Sequence, residues 1–374
     1  MARVIDLTSP IAAYACRLLA ETGHDVVRVE PRSGDALRRM GPFLGGDCTL
    51  ENGAFHTFLN ARKRSFTPDL STGDGQRVAL ELVARSDAVV ASLPLPIDEP
   101  LLRAANPNLV LVRVDDGEPE ACVYARSGLL ALTGHPGQRP SLMGGHVANA
   151  ATSLHVAVAA SAALLVQQLA GTGQTVDVSA RECLMSLAEQ SVITYTSSGR
   201  VTERRGYRGA VTAISGAFPC ADGYWMLSVP STAERWANFM EWVQDPDLMA
   251  DASLLNEAER NEKKDFVLDR LTEWSARFPK NELVQEAQSR HIPASPVSTP
   301  LDLVSDPQLI ARGFLRDVEH PDLGAMRFPI GALALLWGTE PGFAPRLGQH
   351  NGEILTELGY TAAQQRSLVE SGAM

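Results

Sequence analysis

The stretch from Asn149 to Val178 reads NAATSLHVAVAASAALLVQQLAGTGQTVDV. Its alanine-rich apolar run continues to Leu169 without a proline, lysine, arginine or carboxylate, and Gly171 then interrupts it. Such a run predicts a long helix from about Thr152 to Gln168. This helix is the longest element that the chain predicts, and the strands and helices around it define the fold class.

Strand and helix patterns alternate upstream of this helix. Val4–Leu7 indicates a short strand, Ile11–Glu21 a helix, and Val26–Val29 the next strand. The alternation continues with a helix at 76–84 and strands at 88–91 and 109–113. Near-continuous apolar strands separated by helices are typical of a parallel sheet covered by helices. The sequence therefore predicts an α/β fold with a Rossmann-like large domain.

The pattern changes after a second helix expected at about 180–190. Residues 196–215 contain Ser-Ser-Gly-Arg and Arg-Arg-Gly and lack apolar periodicity, which is typical of a linker. A smaller α+β module follows, with a strand at 224–228 and helices at 233–243, 261–277 and 280–289. The predicted organisation is a large domain over 1–195, a linker over 196–215 and a small domain over 216–327.

Composition limits the classes of function. The chain of 374 residues has a formal net charge of −11, which disfavours nucleic acid and anionic membrane surfaces as partners. Its five cysteines show no Cys-x-x-Cys spacing, which favours a reducing compartment and indicates no zinc site. No window reaches 18 uninterrupted apolar residues, and the first residues lack the apolar region of a signal peptide. We expect a cytoplasmic protein that uses no metal.

Several motifs occur in the order found in one family. They are Leu18–Glu30, Gly34-Asp35 with Arg38 three positions later, Asn60–Ser65, Asn149–Val178 and Leu347–His350. With these motifs the chain resembles the class III CoA-transferases, the CaiB/BaiF family, over essentially its whole length. The resemblance implies a C-terminal arm over 328–374 that returns to the large domain. It also implies that two open-ring monomers interlock, as a homodimer or as a heterodimer with a sister chain of the family.

The resemblance further implies coenzyme A or an acyl-CoA as substrate, together with a small carboxylic acid. Basic residues near the family's nucleotide-binding end are matched by Arg32, Arg38, Lys63 and Arg64, and Asn60 belongs to the same element. Guanidinium and ammonium groups suit the phosphates of CoA. The alternative is that Lys63 and Arg64 are solvated loop charges, as most lysines and arginines are.

The chain departs from the family pattern at the residue that carries the chemistry. Asn149 stands where the family has its nucleophilic aspartate. A neutral carboxamide cannot attack a thioester carbonyl as a carboxylate does, so the covalent route is closed at this side chain. Asn149 alternatively serves as a helix N-cap, a position that Asn and Asp fill about equally well. The loops at 91–107 and 115–122 are also shorter than their counterparts in the family.

Other side chains near Asn149 could supply a general base. His146 precedes it by three positions, and His155 lies on the first turns of the following helix. An imidazole works as a base near neutral pH. Glu182 and Cys183, at the start of the next helix, are further candidates. The alternative for each is an ordinary packed or surface residue, because a lone His or Cys usually is one.

Two functions follow from these observations. In the first, the protein is an enzyme of CoA-thioester chemistry that transfers CoA, or runs a related acyl-CoA reaction, without the usual aspartate. In the second, it is a catalytically silent subunit paired with a sister chain that supplies the aspartate. The basic residues favour continued binding of a CoA-like ligand, whereas Asn149 and the shortened loops favour the silent subunit.

Overall fold

A computed structural model describes residues 1–115, 117–208, 214–229, 231–338, 340 and 342–374. Residues 209–213, in the predicted linker, lie outside the described residues. So do residue 116 in the shortened loop, residue 230 in the predicted small domain, and residues 339 and 341 in the predicted arm. The α/β fold class is confirmed, because strands and helices alternate and the main sheet is parallel.

Within the described residues, six parallel strands form one sheet in the order β3-β2-β1-β4-β5-β6. The strands are β1 Arg3–Leu7, β2 Asp25–Val29, β3 Arg64–Phe66, β4 Ala88–Ser92, β5 Val110–Asp115 and β6 Thr175–Ser179. This is the order of a doubly wound sheet, and the chain reverses its direction of travel between β1 and β4. Open sheets of this kind bind ligands outside the carboxyl ends of the strands at that reversal.

The central strands are apolar because helices cover both faces of the sheet. Every residue of β4 is buried, and β5 is buried over most of its length. Alternate side chains of β4 enter different cores: Val89 packs with Ile5 and Leu111, and Val90 packs with Val4 and Val112. Burial on both faces explains why these strands read as nearly continuous apolar runs.

The helices that precede residue 200 are α1 Ala13–Glu21, α2 Ala54–Leu59, α3 Gly73–Val83, α4 Glu99–Ala105, α5 Glu120–Ser127, α6 Leu129–Leu132, α7 Val147–Ala170, α8 Ala180–Met185 and α9 Glu189–Ser198. Helix α7 is longer than the predicted span of Thr152–Gln168. The helix expected at about 180–190 is interrupted by a 3-10 turn at Ser186–Ala188.

The remaining helices and strands follow the linker. The strands are β7 Ser215–Cys220, β8 Gly223–Ser228, β9 Ala294–Pro296, β10 Leu315–His320 and β11 Gly324–Pro329. The helices are α10 Ala233–Val243, α11 Pro246–Ala250, α12 Glu257–Glu262, α13 Lys264–Ser275, α14 Lys280–Ser289, α15 Pro300–Val304, α16 Pro307–Ala311, α17 Ala332–Trp337, α18 Asn351–Leu358 and α19 Ala362–Glu370. The helix predicted at 261–277 is divided at Lys263 between α12 and α13.

The chain divides into two compact units. Unit 1 comprises 1–129, 143–197 and 307–374, and unit 2 comprises 130–142 and 198–306. The predicted domain boundaries do not coincide with these limits, because residues 307–327 belong to unit 1 and residues 130–142 to unit 2. Unit 2 contains the antiparallel sheet β7-β8-β9 and an aromatic core that includes Trp225, Trp236 and Trp274.

Helix α7 is unusually apolar for an element of which only part is buried. Its most apolar 18 residues have a mean hydropathy of 1.5, and 33% of that window is buried. Length and composition alone would allow this helix to cross a membrane. The helices of protein cores and of subunit interfaces have the same properties, so this is weak evidence for a membrane span.

Candidate functional site

A cleft opens at the carboxyl ends of β1–β4, where the sheet reverses direction. Its volume is about 760 Å³, within the range of small-molecule sites in proteins. The lining residues come from the segments that follow β1, β2, β3 and β4: Leu7–Pro10, Arg28–Ala36, Pro68–Ser71 and Pro96. The cleft therefore lies where a doubly wound sheet binds its ligand.

Arg32 is an exposed cation at the rim of this cleft. Its Nη1 donates one hydrogen bond, of 3.3 Å, to the backbone oxygen of Gly372. An arginine has five N–H donors, so most of those on Arg32 remain available to a ligand. Arg32 is therefore well placed to bind a phosphate that enters the cleft.

Arg38 lies beneath the same cleft but is fully buried. Its five N–H groups have five acceptors: both carboxylate oxygens of Glu30 at 2.7 and 2.8 Å, Glu51 at 2.8 Å, and the backbone oxygens of Leu50 at 2.9 Å and Pro345 at 3.1 Å. Arg38 is therefore not a solvated charge. Arg38 has no donor left for a phosphate and instead fixes the loop after β2.

Lys63 and Asn60 are likewise buried and engaged with the protein. The Lys63 ammonium donates to Asp6 Oδ2 at 2.8 Å, to the backbone oxygen of Ala13 at 3.0 Å and to Asn60 Oδ1 at 2.9 Å. These bonds use all three of its donors. Lys63 is therefore not a surface charge either. It links β1 to the start of α1 and to the segment before β3.

Arg64 does not line the cleft. It forms ion pairs with Asp25, Glu353 and Glu357, at distances of 3.3, 3.2 and 2.7 Å. These contacts join β2 and β3 to helix α18. The structure thus brings Arg32 to the cleft, places Arg38, Asn60 and Lys63 in the scaffold around it, and places Arg64 against α18.

A buried ion network that no sequence motif predicted lies on the inner side of the cleft. Arg28 bonds Asp6 Oδ1 and Asp35 Oδ2, each at 2.7 Å. Burial alone would raise the pKa of Asp6, but Arg28 and Lys63 outweigh it and hold that pKa well below its ordinary value. The pKa of Asp35 is lowered in the same way, because Arg28 outweighs burial. The signal for this network in the sequence was Arg28, an arginine between two valines of a buried strand.

His56 contacts this network as a neutral imidazole. Burial and then the charge of Arg38 lower the pKa of His56 to about 3. Asn60 Nδ2 lies 3.0 Å from His56 Nδ1, and the Asn60 oxygen already accepts from Lys63, so the amide donates and Nδ1 accepts. The imidazole proton is therefore on Nε2.

The structure corrects the interpretation of Asn149 as an N-cap. Helix α7 begins at Val147, and His146 is its N-cap residue with left-handed backbone angles of φ 52° and ψ 43°. Asn149 is the third residue of the helix. Its Oδ1 is buried and has no hydrogen-bond partner among the described residues. The side chain is therefore available to a ligand or a water molecule and does not cap the helix.

His146 pairs with a carboxylate that the sequence analysis did not single out. Its Nδ1 lies 2.7 Å from Oε2 of Glu120, the first residue of α5, and the Phe55 ring packs edge-on against the imidazole. The His146 side chain is 47% exposed, whereas that of Glu120 is 23% exposed. The signal was weak, because Glu120 lies 26 residues before His146 and within the shortened loop at 115–122.

Two further buried hydroxyls lie along the contact between α5 and α7. Tyr124 and Thr152 are 2% and 0% exposed, and neither hydroxyl has a hydrogen bond of acceptable geometry to a described residue. Burial and then the charge of Glu120 raise the pKa of Tyr124, and the nearby backbone amide of Ala148 opposes that rise. One turn after Asn149, Ser153 Oγ donates to the backbone oxygen of Ile11 at 3.0 Å. The loop after β1 thus connects α7 to the cleft.

The other candidate bases are placed differently. His155 is exposed, and its Nδ1 lies 2.8 Å from the backbone oxygen of Ala151, one turn back in α7. Cys183 is buried in the core beside α7, and burial raises the pKa of its thiol to about 11. Glu182 lines a separate cavity of about 270 Å³ at the carboxyl ends of β5 and β6. Only His146, of these groups, joins Asn149 at the start of α7 in the described part of the chain.

The chain is similar to known proteins in both sequence and fold. The sequence profile of CoA-transferase family III matches residues 2–351. Succinyl-CoA–D-citramalate CoA-transferase of Chloroflexus aurantiacus is 29% identical over 377 residues, covering 95% of this chain and 92% of that protein. Succinyl-CoA:(R)-benzylsuccinate CoA-transferase subunit BbsE of Thauera aromatica is 30% identical over 409 residues, covering 100% of this chain and 97% of that one. A CaiB/BaiF family protein from Brucella suis, 24% identical, superposes with a TM-score of 0.82 over 96% of this chain and 98% of that one.

Proposed function

The chain belongs to CoA-transferase family III, and from this premise we propose that it acts on CoA thioesters. The nucleotide end of an acyl-CoA occupies the cleft of about 760 Å³, and the acyl end reaches the first turn of α7. The observation that carries the proposal is the position of this cleft at the direction reversal of the sheet. For CoA transfer the acceptor is a small carboxylic acid, and no metal takes part.

The proposed nucleotide site uses Arg32 directly and the other basic residues through the scaffold. Arg32 binds phosphate oxygens with its available guanidinium donors. Arg38 and Lys63, supported by Asn60, hold the loops that form the cleft walls. Arg64 fixes β3 against α18.

Asn149 stands, in this proposal, at the position of the family's nucleophilic aspartate. The residue lies in the first turn of α7, and its oxygen is buried without a described partner. Because a carboxamide is not a nucleophile toward a thioester, the chain acts on acyl-CoA without a covalent intermediate at this side chain.

A second candidate function is that of a silent subunit whose partner chain carries the aspartate. Two observations favour it: α7 exposes a row of large apolar side chains, and the related BbsE protein is named as a subunit of its enzyme. An exposed row of this kind is typical of an interface with another chain. The occupant is a second copy of this chain or a family paralogue. The two functions differ in one outcome, which is whether the purified chain converts acyl-CoA by itself.

Ligand binding tests the proposed function. Titration calorimetry with CoA and acetyl-CoA should give saturable heat for the natural chain. Arg32→Glu should weaken binding by roughly tenfold or more, because it removes a phosphate contact and adds a repulsive charge. Arg312→Ala, an exposed arginine outside the cleft lining, is the matched control and should bind normally. Absence of heat at millimolar CoA for the natural chain would remove CoA from the proposal.

The cysteines bear on where the protein acts. All five are unpaired: Cys16, Cys183 and Cys220 are buried, and Cys48 and Cys122 are exposed. Unpaired cysteines are typical of a reducing compartment. We therefore propose a cytoplasmic location, where acyl-CoA substrates are available.

A further inference from the structure

The contact between α5 and the start of α7 contains polar atoms that the protein leaves without partners. Oε1 of Glu120, Oδ1 of Asn149 and the Thr152 hydroxyl are buried and have no hydrogen-bond partner among the described residues. The buried Tyr124 hydroxyl lies beside them, near the backbone amide of Ala148. Glu120 and Tyr124 lie one turn apart on α5, and Asn149 and Thr152 lie nearly one turn apart on α7, so each pair shares a face of its helix. Buried polar groups are rarely left unsatisfied. We therefore expect a water molecule or a substrate to complete this site.

The ion pair at the edge of this contact selects one form of the imidazole. An ionised carboxylate only accepts hydrogen bonds. Glu120 Oε2, 2.7 Å from Nδ1 of His146, therefore accepts a hydrogen bond from the Nδ1–H group. The lone pair of the neutral ring is then on Nε2. A carboxylate that orients an imidazole in this way is the arrangement of a general base, in which the acid also stabilises the charged ring. The 47% exposure of His146 gives water access to that ring.

We propose that Glu120 and His146 form a general-base pair that hydrolyses CoA thioesters, with His146 as the catalytic base and Glu120 as its positioning residue. This inference rests on the proposed binding of acyl-CoA. The unbonded oxygens of Glu120 and Asn149 are hydrogen-bond acceptors, and a water molecule offers two donors to such groups. Because the His146 side chain is 47% exposed, water reaches the ring, and water is the nucleophile in this proposal.

The reaction balances with water as the only co-reactant. His146 Nε2 takes a proton from a water molecule while the water oxygen bonds to the thioester carbonyl carbon. The tetrahedral intermediate then collapses, the carbon–sulfur bond breaks, and its electron pair leaves on sulfur. The imidazolium returns the proton to the thiolate. The products are a carboxylic acid and free CoA, and both side chains return to their initial state.

Release of free CoA from acetyl-CoA and succinyl-CoA, measured by chromatography from pH 5 to 9, tests the proposal. The natural chain should release CoA from both thioesters. His146→Gln should lower kcat by about 10²- to 10⁴-fold, the usual contribution of a general base. The matched control is His291→Gln, which changes a histidine in unit 2 that also has a left-handed backbone, with φ 57°. That control should retain the natural rate.

The role of Glu120 has its own measurement. Glu120→Gln should lower kcat at least tenfold with little change in KM, because the imidazole loses the carboxylate that orients it. Glu120→Asp should restore part of the rate. Glu370→Gln, on the exposed face of α19, is the control and should change neither quantity. A Glu120→Gln variant that changes KM alone, or that loses activity which Glu120→Asp does not restore, would overturn the pair.

Two results would overturn hydrolysis while leaving the proposed function intact. One is saturable CoA binding by calorimetry with no release of CoA at any pH. The other is exchange of the substrate's α-hydrogen with deuterated water, dependent on His146, without release of CoA. Failure of calorimetric binding itself would instead contradict the proposed function, so the two failures are distinguishable.

Discussion

At position 149, an asparagine and an aspartate would occupy nearly the same volume. The two side chains differ in chemistry, because only the carboxylate is charged and nucleophilic. Asn149 is the third residue of α7, where backbone N–H groups are unpaired and the helix dipole favours a negative charge. The backbone of this turn does not depend on the Asn149 oxygen, because Oδ1 accepts no hydrogen bond from a described residue. A carboxylate is therefore expected to fit here without refolding the turn.

Introducing a carboxylate at this position gives a prediction. Asn149→Asp should form a covalent enzyme–CoA thioester on incubation with acyl-CoA, because it places a nucleophile in a turn that is already formed. Intact-mass spectrometry detects the adduct, and hydroxylamine should remove it. The natural chain, treated identically, should show no adduct. An unmodified Asn149→Asp chain that still binds acyl-CoA would show that the first turn of α7 is not where the acyl group lies.

His56 makes the stability of the fold depend on pH. The pKa of His56 is about 3 in the folded chain, against about 6.5 for an unfolded histidine. The unfolded chain therefore binds a proton between these values when the folded chain does not, so stability falls as pH falls from about 6.5 toward 3. The loss reaches about 1.4 kcal/mol per pH unit for this single group.

Denaturant unfolding at pH 7, 6, 5 and 4.5 measures this dependence. His56→Gln keeps a polar side chain but cannot titrate. The free energy of unfolding should therefore depend less steeply on pH, by at most the slope that the binding of one proton gives. His291→Gln, a change at a histidine on the surface of unit 2, should leave the slope as in the natural chain. Equal slopes in all three proteins would mean that His56 is protonated in the folded state.

At the scale of elements, the turn between α7 and β6 is set by a glycine. A Cβ at Gly173 would lie 2.3 Å from the backbone carbon and oxygen of Asn108 and 2.3 Å from the backbone oxygen of Leu109. These are main-chain atoms at the start of β5, so they cannot move aside as a side chain could. The glycine allows the chain to pass close to Asn108 and Leu109 after α7, so that β6 can pair with β5.

Gly173→Ala should consequently destabilise the protein by about 2–3 kcal/mol, the cost of overpacking against a fixed neighbour. Thermal and denaturant unfolding measure it. Gly73→Ala, at the first position of α3 with nothing within 4 Å of the added carbon, is the matched control. It should change stability by no more than about 0.5 kcal/mol. Equal stability of the two variants would contradict the close approach of this turn to β5.

At the scale of the whole molecule, the exposed apolar row of α7 needs a partner. It consists of Leu154, Val158, Leu165, Val166 and Leu169, of which Val158 is 69% and Leu169 80% exposed. Covering a side chain of this size contributes about 1.5–3 kcal/mol, so the row strongly favours association. We propose that a second copy or a paralogue covers it in an interlocked dimer.

The assembly makes a measurable prediction. The purified chain should scatter light as a particle of twice its 40.2 kDa mass and remain so after dilution to nanomolar concentration, since interlocked rings separate only by partial unfolding. Val158→Glu should disrupt the assembly by burying a charge. Ala363→Glu, which adds the same charge to exposed helix α19, should not. A natural chain that scatters as a monomer would exclude the homodimer.

Much of the fold could be predicted from the sequence because its signals are local. The buried strands β1, β4 and β5 read as apolar runs, and helix α10 was predicted at 233–243, the span that it occupies. Boundaries were less predictable. The helix expected at about 180–190 contains a 3-10 turn, and α7 begins five residues before the predicted start. The ends of helices depend on tertiary packing that periodicity does not record.

The sequence by itself therefore determined the α/β class, the long apolar helix and the family. Tertiary structure alone decided what the charged residues do. Lys63 meets Asp6 across 57 positions of sequence, and His146 meets Glu120 across 26. Spacing along the chain carries no information about such pairs, because they form where crossover connections bring distant segments to the same end of the sheet. For this reason residue type predicted cations that could hold a phosphate, and only the fold showed that two of them already have every donor in use.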